Sequence, residues 1–266
     1  MNTLHIYGIL LKNILLIRRS FPRLAGFFLW ITFELFLWGF ITFWLQDVTG
    51  DSAEINFALL LITALIFWDI FHRAAQSFSF AFLEDIWARN VINVFASPVS
   101  RGEMIMGFVL LSLVQATISF VYITILAILL YALNIWELGF YAIPLFINLL
   151  FFGWTIGLVI ISVLLRFGPS AEMFAFFIPF ALLPFSAVYN PVSALPLFMQ
   201  NIVQFISPAH LFEGMRMIFL EGVFPTSHII WATGLNIVYF GLALLLFSWM
   251  VKVARKNGFI ARLVTD

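Results

Sequence analysis

No cysteine occurs anywhere in the 266 residues, so neither a disulfide nor a Cys-ligated zinc site can form. Charge is scarce as well. Only 10% of the residues are charged, against about a quarter in an ordinary soluble domain, while 64% are hydrophobic. A soluble fold of this length would lack the polar side chains to cover its surface, so lipid is the expected solvent for most of it. Net charge is zero, which removes a basic field for nucleic acid and any acidic tail. Catalytic patterns are missing too. There is no Gly-Lys pair, hence no phosphate-cradling loop with its lysine. His5, His72, His210 and His228 are scattered, with no His-Glu-x-x-His metal pattern, and no Gly-x-Ser-x-Gly turn is present. The expectation is a chain that is not an enzyme and holds neither metal nor cofactor of its own.

What is present comes in long apolar runs. A bilayer core of about 30 Å takes about 20 apolar residues per helix. On that ruler six runs qualify: 25–46, 55–83, 104–133, 141–165, 172–187 and 229–251. The first lacks a small-x-small cleavage site and reads as a retained span. The second and third exceed one crossing and imply tilt or projection. The fifth is short and carries Pro179 and Pro184. The fold class that follows is all-α: a single polytopic membrane domain, 1–266, with six transmembrane helices.

Lys and Arg set the orientation. Eleven of the thirteen fall on one side of that plan: Lys12, Arg18, Arg19, Arg23, Arg89, Arg101, Arg166, Lys252, Arg255, Lys256 and Arg262. The other side keeps Arg216 among Asp47, Asp51, Glu54, Glu137, Glu213 and Glu221, and Arg73 lies inside a span. Both termini are therefore expected in the cytoplasm, which agrees with an even number of crossings.

Three segments lie outside the spans. Residues 1–22 place Leu4, Tyr7, Leu10, Leu11, Ile14 and Ile17 at helical spacing, with His5, Gly8, Lys12 and Arg19 opposite. That is the pattern of an interfacial helix with its basic face in the cytoplasm, acting either as an anchor or as a mechanical connector. Residues 84–98 form the longest cytoplasmic connection. Read as one helix, they align Asp85, Arg89 and Asn93 on one face, with an Asp-to-Arg pair of the favourable sense, until Ser97-Pro98 stops it. By itself this is either a docking face or a solvated turn. Residues 190–224 are too polar to cross lipid and too apolar for a free loop, so a partly inserted external segment is expected.

The chain at this point resembles the permease subunit of type-2 ATP-binding-cassette exporters, over nearly its whole length in layout. Phe95-Ala96-Ser97-Pro98-Val99-Ser100-Arg101-Gly102-Glu103 is similar to that family's passage from coupling helix into the third span. Ser186-Ala187-Val188-Tyr189-Asn190-Pro191-Val192-Ser193-Ala194-Leu195-Pro196, then Ser207-Pro208 and Glu213-Gly214-Met215-Arg216, is similar to its C-terminal signature. One departure is plain: the family often carries Gly where this chain has Ala187.

The resemblance implies a multi-pass protein of the bacterial cytoplasmic (inner) membrane. It implies two partners within the bilayer assembly: a second permease subunit, expected as a homodimer, and a separate ATPase subunit that holds the ATP. Glu84, Asp85, Arg89 and Asn93 would then contact that ATPase as the coupling helix. An amphipathic or lipid-like cargo suits walls rich in Phe, of which there are 34. Export of a lipid-linked polysaccharide is the alternative within the family.

An ion channel or proton-coupled carrier built on the intramembrane charges Glu34, Asp69 and Arg73 is the rival from another class. Those charges also admit a structural reading. Glu34 lies eleven residues inside Arg23 and Arg73 eleven inside Glu84, so at 1.5 Å per residue both sit about 16 Å deep. A Glu34–Arg73 bridge is expected, with Asp69 as second acceptor. Gly153-x-x-x-Gly157 is expected to let helices approach closely within the chain.

Overall fold

The computed structural model describes residues 1–49, 55–133 and 135–258. Asp51, Glu54 and Arg262 of the charge tally lie outside the described residues, as do the side chains of Asp47 and Glu137. Among the described residues the chain is helical, with no strand. The helices are α1 (Thr3–Arg19), α2 (Phe21–Thr49), α3 (Ile55–Trp87), α4 (Val91–Ala96), α5 (Arg101–Tyr131), α6 (Ala142–Phe167), α7 (Met173–Ala181), α8 (Leu197–Val203), α9 (Ser207–Glu221) and α10 (Thr226–Lys256).

Four of these helical stretches are long and apolar enough to cross a membrane: Phe21–Thr42 within α2, all of α5, Leu138–Ala171 around α6, and all of α10. Such a set is compatible with a multi-pass membrane protein. The 33-residue α3 is long enough as well, but it carries Asp69, His72, Arg73 and Gln76 through its middle. It can hold them because it is the centre of the bundle. Phe67, Phe71, Phe78 and Phe82 are fully buried, and α2, α5, α6, α7 and α9 all pack on it. α6 comes closest: a Cβ built on Gly153 would stand 2.5 Å from the Ala74 Cβ, and one on Gly157 would run into Phe78. The two glycines thus set the α3–α6 separation within the chain.

The run 172–187 is not one long helix. α7 has nine residues and is followed by a 3-10 turn, Leu183–Phe185. Pro179 and Pro184 remove two backbone donors there. At 1.5 Å per residue the whole Met173–Phe185 stretch spans only about 20 Å.

α1 does form, yet its inward face differs from the sequence reading. Ile9, Leu10, Ile14 and Ile17 pack on the bundle, and an added Cβ on Gly107 of α5 would meet Ile9 within 3 Å. Leu4, Tyr7 and Leu11 are exposed, whereas His5 and Lys12, placed by the sequence on a solvent face, turn toward carboxylates of the protein. Buried carboxylates attract cations more strongly than water-exposed ones, and that decides the rotation.

Candidate functional site

The expected single helix over 84–96 is absent. α3 continues to Trp87, and the chain then turns at Arg89, whose φ is +53°, before α4 begins at Val91. Left-handed backbone at a non-glycine residue breaks helical phase. Asp85, Arg89 and Asn93 therefore do not share a face, and the Asp85–Arg89 pair does not form. Asp85 is buried and receives Lys12 Nζ on both oxygens, at 2.7 and 2.8 Å, with Asn90 Nδ2 at 3.2 Å. Glu84 takes Arg23 of α2 at 2.8 Å. Of the four residues assigned to a docking face, the two acids are thus committed to internal pairs. Arg89 and Asn93 are exposed, beside Trp87 and Ile92 at 50% and 44% exposure.

The far side of this turn is fastened by Glu103. Ser100 caps α5: its hydroxyl accepts from the Glu103 N–H at 3.3 Å, and Glu103 Oε2 accepts from the Ser100 N–H at 2.8 Å. This reciprocal pair satisfies two donors at a helix start. The same carboxylate accepts from the Asn2 N–H at 2.6 Å and meets His5 Nδ1 at 3.0 Å. Three acids, Glu84, Asp85 and Glu103, thereby tie α1 and the start of α2 to the α3–α4–α5 corner. Arg255 of α10 lies 5.8 Å over the Phe95 ring, and Trp87 donates to Glu172 at 3.0 Å, so α10 and α7 also end here. The capping box was legible as Ser-x-x-Glu; its use as an anchor for the N-terminus was not.

The buried charges pair differently from the expected bridge. Arg73 Nε donates to Asp69 Oδ1 at 3.1 Å, one turn away on α3, and Nη2 donates to the Phe27 carbonyl of α2 at 2.7 Å. Ser119 of α5 donates to Asp69 Oδ2 at 2.5 Å, and the guanidinium stacks 4.2 Å over the Phe27 ring. Glu34 makes no ion pair with Arg73; Asp69, Arg73 and Tyr189 lie within its electrostatic range. Asp69, expected as the second acceptor, is the acceptor. The near partner wins because an i, i+4 pair on one helix needs no matching of rotation between two helices. α2, α3 and α5 are linked through this one buried cluster.

At the opposite end, two sequence stretches quoted separately form one unit. Arg216 of α9, 7% exposed at its side chain, donates through Nη2 to the carbonyls of Ala187 and Val188, the latter at 2.9 Å, and through Nη1 to Glu213 at 3.3 Å. Glu213 Oε1 accepts from the Val192 N–H at 2.6 Å. Burial lowers the Arg216 guanidinium from its ordinary value, and the Glu213 carboxylate opposes that shift. Ala187 itself has φ +51°, a conformation that favours glycine. The departure from the family pattern thus falls on the residue whose backbone calls for Gly. Tyr141 donates to the Leu211 carbonyl at 2.5 Å and Ser207 to the Ala232 carbonyl at 3.1 Å, holding α9 to α6 and α10.

Among the described residues no group of three or more His, Asp or Glu side chains is placed to hold a metal ion. No family model matches the chain, and no curated protein matches it either.

Proposed function

We propose that this chain is the transmembrane half of an ATP-binding-cassette exporter, moving an amphipathic or lipid-like molecule out of the cytoplasm on energy from a separate ATPase subunit. Five crossings are then made by α2, α3, α5, α6 and α10, and the sixth by α7 together with the chain beyond Phe185, since Met173–Phe185 alone is shorter than the bilayer core, with both termini cytoplasmic. A second copy of the chain completes the path, in a bacterial inner membrane. The resemblance in layout and in the two signature stretches supports this reading. The observation that carries it is the braced corner. A short tip that exposes Trp87, Arg89, Ile92 and Asn93 sits on two ion-paired joints, into α1 and α2, and on the hydrogen-bonded cap that opens α5. A push on that tip reaches α1 through Lys12–Asp85, α2 through Arg23–Glu84, and α5 through the Ser100–Glu103 cap. A solvated turn has no need of such bracing.

The exposed Arg89 and Asn93, flanked by Trp87 and Ile92, supply one cation, one amide and two apolar anchors for a partner. The Asp69–Arg73–Ser119 cluster supports a structural role for Asp69 and Arg73, since both are satisfied within the chain; Glu34 stands outside those bonds. The test is to read the neighbouring reading frames for a cassette ATPase, which is expected there, and to co-express it with this chain. A stable complex is expected, with ATP hydrolysis above that of the free ATPase and lost on Arg89→Glu. Normal complex recovery and stimulation in Arg89→Glu would remove the tip from the mechanism.

A further inference from the structure

On the α1 side of the bundle lies a cavity of about 540 Å³, walled by α1, α2, α3, α5 and α7. It is far larger than the roughly 30 Å³ that one water occupies, and within the range of small-molecule sites. Its two halves differ. Phe27, Trp30, Phe80, Trp87, Phe176 and Phe180 form an aromatic wall, and Trp30, Phe176 and Phe180 are each more than half exposed, so the rim between α2 and α7 is open and apolar. Phe80 and Trp87 belong to α3, where Phe80 continues the four-residue row of His72 and Gln76; Arg73 and Ser77 form the next row, and Gln115 of α5 lines the cavity as well. Ser77 is 3% exposed, and its hydroxyl is buried with no hydrogen-bond partner. A buried hydroxyl without a partner is destabilising, and a hydrogen bond from a ligand relieves it.

The charges on the wall are already spent. Arg73 is held by Asp69 and the Phe27 carbonyl, and Arg23 by Glu84. Each guanidinium is matched by a carboxylate, so the wall offers an anionic head no net positive charge. What remains for recognition is His72, Gln76, Ser77 and Gln115, which offer hydrogen-bond donors and acceptors.

We infer that this cavity binds an amphiphile whose head is uncharged and bears hydroxyls, with its tail leaving between α2 and α7 into lipid. The inference rests on the permease reading in one respect: the bound molecule is the exported one, captured from the side within a single subunit. Aromatic faces pack on the apolar faces of such a head while the amides and the serine bond its hydroxyls.

The experiment uses the full chain alone in phosphatidylcholine nanodiscs, with two photoreactive probes of the same dodecyl chain, one headed by glucose and one by phosphate. Cross-linked peptides are mapped by mass spectrometry. Saturable labelling of α3 and α7 peptides is expected from the glucoside, at least tenfold above the phosphate probe. Gly26→Trp should abolish it; Gly26 lines the cavity and an added Cβ there meets nothing within 4 Å, so the variant can fold. Gln115→Leu should weaken it about tenfold. Labelling that does not saturate, that survives Gly26→Trp, or that favours the phosphate head would overturn the inference. Because no ATPase is present, such a failure leaves ATP-driven export standing, and a failure of export leaves this binding result standing.

Discussion

Lys12 sets its ammonium between the two carboxylate oxygens of Asp85, 2.7 and 2.8 Å away, joining α1 to the end of α3 across 73 residues of sequence. The carboxylate is 8% exposed and the lysine 35%. Hydrogen bonds to a charged group are worth about 1.5–3 kcal/mol. Lys12→Met should therefore release α1: amide hydrogen exchange across residues 3–19 should rise about tenfold or more, with α5 and α6 unchanged. Arg89→Glu, at an exposed turn, should leave that exchange as it is. Equal effects from the two substitutions would refute the brace.

For the buried cluster, Asp69→Asn and Glu34→Gln separate the observed pairing from the simpler bridge. Asp69→Asn leaves Arg73 without its counter-ion and should cost about 3–5 kcal/mol of stability. Glu34→Gln removes no ion pair and should stay within about 1 kcal/mol of the parent. Thermal unfolding in detergent reads both. A larger loss from Glu34→Gln would restore the Glu34–Arg73 bridge.

How far the sequence reached can be judged from these residues. Apolar runs and the helical spacing of apolar residues were enough to place α1, α2, α3, α5, α6 and α10, because helix length and composition are local properties. The break at Arg89 was not legible, since the sequence offers neither Gly nor Asn at the left-handed position. For Arg73 the sequence named both candidates, Glu34 first and Asp69 second, but could not rank them. Depth along a helix can be counted from sequence, but rotation about its axis cannot, and rotation is what separates Asp69 from Glu34. The same gap hid Lys12 and His5, which read as a solvated basic face and instead meet Asp85 and Glu103. Signature residues 186–196 and 213–216 were visible as words; that Arg216 and Glu213 clamp the first stretch required the fold.

Ala187 offers a gain rather than a loss. Its left-handed backbone costs about 1–2 kcal/mol in a residue with a Cβ. Ala187→Gly should raise stability by about 1 kcal/mol, visible as a higher melting midpoint. Arg216→Met should lower it by roughly 3 kcal/mol, because two carbonyls and Glu213 lose their charged donor. Destabilisation by Ala187→Gly would mean that the turn is held by something other than this clamp.

The two ends of the bundle should be separable by labelling, and the absence of native cysteine makes single-Cys variants clean. Cysteine at Asn190 or Glu221 should react with an impermeant thiol reagent from outside intact cells. Cysteine at Asn93 or Lys256 should react only after the membrane is opened. External labelling at Asn93 would place the braced corner on the wrong side for a cytoplasmic ATPase.

Flux is the most direct measure of the central claim. The chain and the proposed ATPase subunit, reconstituted together in sealed vesicles with a fluorescent amphiphile, should move that amphiphile only when ATP is supplied on the ATPase side. Arg89→Glu should lower the rate about tenfold while vesicles retain the same amount of complex. Movement that proceeds without nucleotide and follows an imposed proton or ion gradient would contradict the account.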